Sequence, residues 1–278
     1  MLEIMLPAFA ACAVLIGIHA YLGVHIIARG VIFVDLALAQ IAALGAVTGA
    51  LFGVPLHSAG SYFFSLGFTL LGAGLFSLTR LRDSEVPQEA FIGIVYVVSA
   101  ALAVMVMDRI PGEAEQLKEM LVGNILFTDW KEIGKTALLY AGVGGAHYLF
   151  RDKFLAVSCG PEESVHGERN VRFWDFAFYA LFGLVVTSSV AIAGVLLVFA
   201  FLIVPAVCSM FFYKGVAERL VFGWVTGLAA SAAGLVASYK LDLPSGAAVV
   251  AAFGLLVPAA YLLRSKTPKG ACGGGRLK

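Results

Sequence analysis

Along the chain, long apolar runs are cut by short clusters of charged and turn-forming residues. Runs bounded in this way predict spans near 5–28, 31–53, 59–79, 89–107, 134–150, 174–191, 194–213, 220–239 and 246–263, since crossing a hydrocarbon layer takes roughly 20 helical residues. Residues 176–213 carry no Asp, Glu, Lys or Arg, so that stretch alone has to hold two spans. None of the runs alternates in the way a membrane β-barrel requires, and a continuous apolar run satisfies its backbone polar groups in lipid only as a helix. The expected fold class is therefore all-α, a polytopic helical membrane protein with about nine transmembrane helices, or eight if the sixth and seventh runs are one.

Composition agrees with that reading. Of 278 residues 60% are hydrophobic and 13% charged, with a mean hydropathy of +0.93, which excludes a soluble domain. The net charge of +1 says nothing useful about partners, and no nucleic acid partner is expected. Cys12, Cys159, Cys208 and Cys272 have no CxxC spacing and suggest neither a disulfide framework nor a zinc knuckle. The start, MLEIML, has an acid and no Lys or Arg before the first apolar run, so it reads as the first span and not as a signal peptide. One transmembrane domain is expected over 1–264, followed at 265–278 by a basic, Gly-rich tail that reads as a disordered end.

Charge also orients the spans, because cytoplasmic loops collect Lys and Arg. With the N-terminus outside and the C-terminus in the cytoplasm, the inner side holds 14 of the 19 basic residues, Arg29, Arg151, Lys214, Arg219 and Arg264 among them. The largest outer loop, 108–133, carries six acids against three basic residues, a mildly acidic mouth that would concentrate cations by electrostatic focusing.

Three features could carry chemistry. In VIFVDLALAQIAALG, residues 31–45, Asp35 and Gln40 interrupt an apolar run. A carboxylate at membrane depth costs several kcal/mol unless it is hydrated, paired or bound to a cation, and such groups usually face a pathway. The plainer alternative is an Asp near the inner end of its span that reaches the headgroups or pairs with Arg29. Gln40 lies about 140° around the helix from Asp35, so the two share no face; it is a candidate interhelical hydrogen bonder and a weak metal ligand. The second feature is the cytoplasmic segment 151–172, where Pro161 with Glu162 and Glu163 behind it suits the first turn of a short helix and Gly167 suits its end. The third is Pro205 inside GVLLVFAFLIVPAVCS, which frees a backbone carbonyl and bends the span. The histidines, His19, His25, His57, His147 and His166, show no ligand spacing, and no HExxH, GxSxG or Walker motif is present.

With these pieces assembled, the sequence resembles the permease subunits of the ABC-3 family, bacterial importers of zinc, manganese and iron. The likeness runs from about residue 5 to 263 through RGVIFVDLALAQIAALG, EAFIGI at 89–94, LVGNIL at 121–126, GVLLVFAFLIVPA at 194–206 and DLPSG at 242–246. It implies a multi-pass subunit of the bacterial cytoplasmic (inner) membrane that moves a divalent transition metal or metal chelate inward. The implied partners are an extracytoplasmic solute-binding protein, a second permease copy or a sister permease, and cytosolic ATPase subunits. ATP would be bound and hydrolysed in those subunits, so the chain itself would be no enzyme and hold no permanent cofactor. Pro161, Glu162, Glu163 and Gly167 would belong to the coupling helix that docks on the ATPase. Asp35 would be the translocation-site ligand. Zinc and manganese members place a histidine four residues after that Asp; here the position is Ala39, with Gln40 next to it, which leaves iron, manganese, a chelated metal or a substrate that is not a metal open.

The rival within transport is a secondary, ion-coupled carrier with Asp35 as its cation or proton site, against which stands the lack of an inverted repeat. A hydrolase is the weakest reading, His147 with Ser209 or Cys208 being the best constellation available.

Overall fold

The computed structural model describes residues 2–56, 58–79, 86–110, 125–159 and 168–264, and among these it contains helices and no strand. The helices are α1 (Leu2–Arg29), α2 (Val34–Leu51), α3 (Ala59–Leu78), α4 (Gln88–Met107), α5 (Trp130–Leu149), α6 (Arg151–Cys159), α7 (Glu168–Met210), α8 (Val216–Leu241) and α9 (Ser245–Leu263), with a 3-10 turn at Ile125–Phe127. Seven of them are long and apolar enough to cross a membrane. Helix α7 has 43 residues, about 64 Å at 1.5 Å per residue, which is twice what a bilayer needs. It is broken at Gly194, whose φ of 75° and ψ of 161° only glycine adopts without strain. The two spans expected on either side of residue 193 are therefore both present. Helix α5 covers the expected fifth span, and its lower apolarity follows from Lys131, Glu132 and Lys135 in its first two turns.

The chain forms two compact units, one of Met1–Arg29, Val122–Gly144 and Ile192–Lys278, the other of Gly30–Leu121 and Gly145–Ala191. The first change of unit falls at Gly30, whose φ of 69° ends α1.

In the first unit α8 lays a stripe of small residues, Gly223, Gly227, Ser231 and Gly234, against its neighbours. A Cβ at Gly227 would sit 3.0 Å from Ile16 of α1, and one at Gly223 would sit 3.5 Å from Ala20 of α1 and 3.4 Å from Pro205 of α7. Small residues let the helix backbones approach closely, which replaces the hydrophobic driving force that lipid does not provide. The register pairs higher numbers in α8 with lower ones in α1, so these helices are antiparallel. Phe211 after α7 meets Tyr261 near the end of α9, with ring centroids 6.1 Å apart. Arg29, Lys214, Arg219 and Arg264 consequently gather at one end of this unit.

The motif DLPSG is the turn joining α8 to α9. Asp242 takes the left-handed conformation at φ 53°, ψ 47°, which short polar side chains tolerate best after glycine. The Leu243 N–H then donates to the Ser238 carbonyl at 3.0 Å, and the Ser238 hydroxyl donates back to the Leu243 carbonyl at 2.7 Å. Pro244 caps α9.

In the second unit α2 is the enclosed element, with 72% of its span buried against 22% for α4. Its GAVTG turn brings Gly45 and Gly49 onto α3: a Cβ at Gly45 would lie 2.7 Å from the Phe64 carbonyl oxygen, and one at Gly49 would lie 3.0 Å from the Phe64 ring. Farther along α3, a Thr69 to Thr187 hydroxyl contact of 3.1 Å ties it to the first half of α7. Between α5, α6 and α7 stands an aromatic cluster. His147 stacks on Phe154 with centroids 4.3 Å apart, and Trp174 meets Phe150 at 5.3 Å and Phe154 at 5.6 Å. Helix α6 was not anticipated from the sequence; its buried Phe154 and Val157 dock it, while Arg151, Asp152 and Lys153 stay exposed.

Candidate functional site

Asp35 is the second residue of α2. The sequence suggests a carboxylate within a span, and the structure puts it in the first turn of a helix that starts at Val34, three residues after the apolar run begins. The reason is local. Gly30 closes α1 with its positive φ, the Val34 N–H bonds back to the Val31 carbonyl at 3.2 Å, and the helix starts only after that turn.

Despite standing at a helix end, Asp35 is 1% exposed, and neither carboxylate oxygen has a hydrogen-bond partner among the described residues. A buried charge in that condition is expensive, so its environment serves something other than stability. The N-terminal end of a helix carries a partial positive charge from its unpaired N–H groups. That positive end reduces the net negative potential a cation would meet there.

Gln40, five residues on, is also buried, at 8% exposure. Ala39, one turn from Asp35 and close to its face, is 1% exposed and brings only a methyl group. Among the described residues, no three His, Cys, Asp or Glu side chains are close enough to hold a metal ion. Among the described residues Asp35 is thus a single buried carboxylate.

The histidines are built into packing. His19 Nδ1 lies 2.7 Å from the Leu15 carbonyl, His25 meets Tyr21 edge to face at 4.7 Å, and His147 belongs to the aromatic cluster. Pro205 is buried in the second half of α7, and the Ser209 hydroxyl next to it donates to the Ala206 carbonyl at 2.6 Å, so that hydroxyl is committed to the backbone. Pro161, Glu162, Glu163 and Gly167, like His57, His166 and the tail 265–278, lie outside the described residues. What is described is the frame of that segment: α6 before it and α7 after it are joined by the contact of Trp174 with Phe154, and Trp174 also meets Phe150 just ahead of α6.

Sequence reading missed one residue at this site. Glu89, in the first turn of α4, accepts a hydrogen bond from the Phe33 N–H at 3.0 Å, at the very start of α2. An acid opening an apolar span was the visible signal, but its partner is 56 residues away.

Among known proteins, the chain is 26% identical over 248 residues to the "Probable iron transport system membrane protein" of Haemophilus influenzae, covering 89% of each. It is 26% identical over 213 residues to the manganese transport system membrane protein MntC of Listeria monocytogenes, covering 74% of this chain and 75% of that one. Of solved structures, PsaBC from Streptococcus pneumoniae in complex with Fab aligns with a TM-score of 0.75 at 21% identity, over 95% of this chain and 92% of the other. A transporter described as of the metal-chelate ABC type, in an inward-facing conformation, aligns with a TM-score of 0.68 at 16% identity, over 94% and 88%. These two likenesses establish the fold. The family model of the ABC 3 transport family matches residues 1–263, and the chain belongs to that family as a membrane-spanning permease.

Proposed function

We propose that this permease carries a divalent transition metal, or a chelate of one, into the bacterial cytoplasm, and that Asp35 is the ligand it offers on the way. The observation that carries the reading is the buried Asp35 carboxylate, both of whose oxygens lack a hydrogen-bond partner among the described residues. One carboxylate at the positive end of a helix binds a dehydrating cation weakly, and conduction needs a site that releases as readily as it admits. Further ligands would come from a second permease across the dimer axis, from water or from a chelator. The relatives named for iron and manganese transport support a metal cargo, and Ala39 in place of an imidazole argues against a zinc-specific site.

Orientation follows from the basic end of the first unit. Arg29, Lys214, Arg219 and Arg264 would face the cytoplasm under the positive-inside rule, in the inner membrane. By the same rule the segment 151–172, read from its sequence, would be cytoplasmic. Two cytosolic ATPases would dock there, and the α6 and α7 aromatic contacts would carry their movement into the bundle as a rigid-body shift. An extracytoplasmic binding protein would deliver cargo at the other face. Metal uptake and total metal content, measured for zinc, manganese and iron in a strain lacking this gene and in the same strain complemented, test the proposal. Restoration of one metal supports it; equal uptake of all three with and without the chain contradicts it.

A further inference from the structure

We propose that Glu89 is a positioning residue for the Asp35 turn, the acceptor half of a two-residue clamp that locks three helix ends together. The inference rests on Asp35 being the cargo ligand only for its consequence in transport; the clamp itself is read from geometry. Helix α2 begins without a side-chain cap, because its N-cap residue is Phe33 and no hydroxyl or carboxylate of its own segment reaches the first turn. The free N–H groups of a helix start normally find Ser, Thr, Asp or Asn. Here Glu89 of α4 supplies the missing acceptor from across the unit, at 3.0 Å from the Phe33 nitrogen.

Its neighbour does the complementary task. The Gln88 side-chain amide donates to the Phe76 carbonyl at 2.8 Å, in the last turn of α3. A donor meets the carbonyl-rich end of one helix and an anion meets the amide-rich end of another, so each side chain matches the polarity of the end it holds. Pro87 caps α4 just before the pair, with φ at −64° and ψ at 141°, and so sets where the two side chains emerge. The ends of α2, α3 and α4 are thereby fixed on one side of the second unit, two residues from Asp35. Because the Asp35 carboxylate has no hydrogen-bond partner among the described residues, its orientation depends on where that turn is held.

Length and charge can be separated at this position. Glu89→Gln keeps a carbonyl oxygen at the same reach and loses the charge; Glu89→Asp keeps the charge and falls one methylene short; Glu89→Ala loses both. The complete transporter in nanodiscs would be followed by amide hydrogen exchange over residues 31–38, and in proteoliposomes by manganese uptake against manganese concentration. Exchange should rise about tenfold or more in the Ala and Asp variants, the scale of one charge-assisted hydrogen bond, and clearly less in Gln, which keeps the bond and loses only the charge. Half-saturating manganese should rise in the same order, with a smaller change in maximal rate. Wild-type exchange in Glu89→Asp, or a Gln variant as exposed as the Asp one, overturns the clamp. If Asp35→Asn transports normally while Glu89→Asp still opens the turn, the clamp stands and the cargo role of Asp35 is what fails.

Discussion

Substituting alanine for Gly23 should loosen the protein measurably, while the same change at Gly17, in the same helix, should not. A Cβ on Gly23 would overlap the Leu202 carbonyl oxygen of α7 and lie 3.0 Å from the Leu202 carbon and 3.1 Å from Ala206 Cβ. Two of those atoms are backbone, so no rotamer relieves the clash, and α1 has to move away from α7 beside Pro205. Overpacking of this kind costs about 1–3 kcal/mol. Gly17 has nothing within 4 Å of its added Cβ, so Ala there gains only helix propensity, worth up to about 1 kcal/mol. The Trp224 indole bond to the Gly17 carbonyl, 3.0 Å long, involves backbone and survives the change. At roughly 2–4 °C per kcal/mol for a chain of this size, Gly23→Ala should lower the melting temperature by about 2–12 °C, and Gly17→Ala should leave it level or raise it slightly. Thermal melts of the purified permease in one detergent, read by intrinsic fluorescence and by loss of the monodisperse peak, give both numbers. Equal shifts for the two variants, or a stabilised Gly23→Ala, would refute the close approach of α1 and α7.

Other outcomes follow from the same reasoning. Gly194→Ala places a side chain where φ is 75° and should destabilise by about 1–3 kcal/mol, read in the same melts; a neutral result would mean the break in α7 does not need glycine. Thr69→Val removes the hydroxyl contact with Thr187 and should cost about 1 kcal/mol, whereas the Thr69→Val, Thr187→Val pair should cost less than the sum of the two single changes; strict additivity would show that the contact contributes nothing. Gln88→Glu puts a carboxylate against the Phe76 carbonyl at the negative end of α3 and should lower the melting temperature more than Gln88→Ala; the reverse order would contradict the matching of charge to helix ends.

Much of this architecture is legible in the chain because lipid removes alternatives: an apolar run without charge has to be a helix, and the 38 uncharged residues at 176–213 had to be divided. The runs 174–191 and 194–213 bracket the break, and the structure puts it at Gly194, whose φ is positive. Asp35 stood out for the same reason, as a charge where charge is costly. Its exact setting did not, because α2 starts on Phe33, which carries none of the usual marks of a helix start. The acceptor that compensates, Glu89, belongs to another helix, and no local pattern reports a partner 56 residues away. Helix α6 escaped for a similar reason, since RDKFLAVSC is short and mixed and is held by aromatic contacts with α5 and α7.

The central claim is that the sealed Asp35 carboxylate lies on the path of the transported cation. Its most direct test is Asp35→Asn, nearly the same in shape and without the charge, in a reconstituted complex with its ATPases and binding protein. The account predicts that the variant assembles and hydrolyses ATP but that metal uptake falls by at least about tenfold, the loss of one charged ligand contact at roughly 1.4 kcal/mol or more. Uptake by Asp35→Asn at the wild-type rate and metal affinity would contradict it.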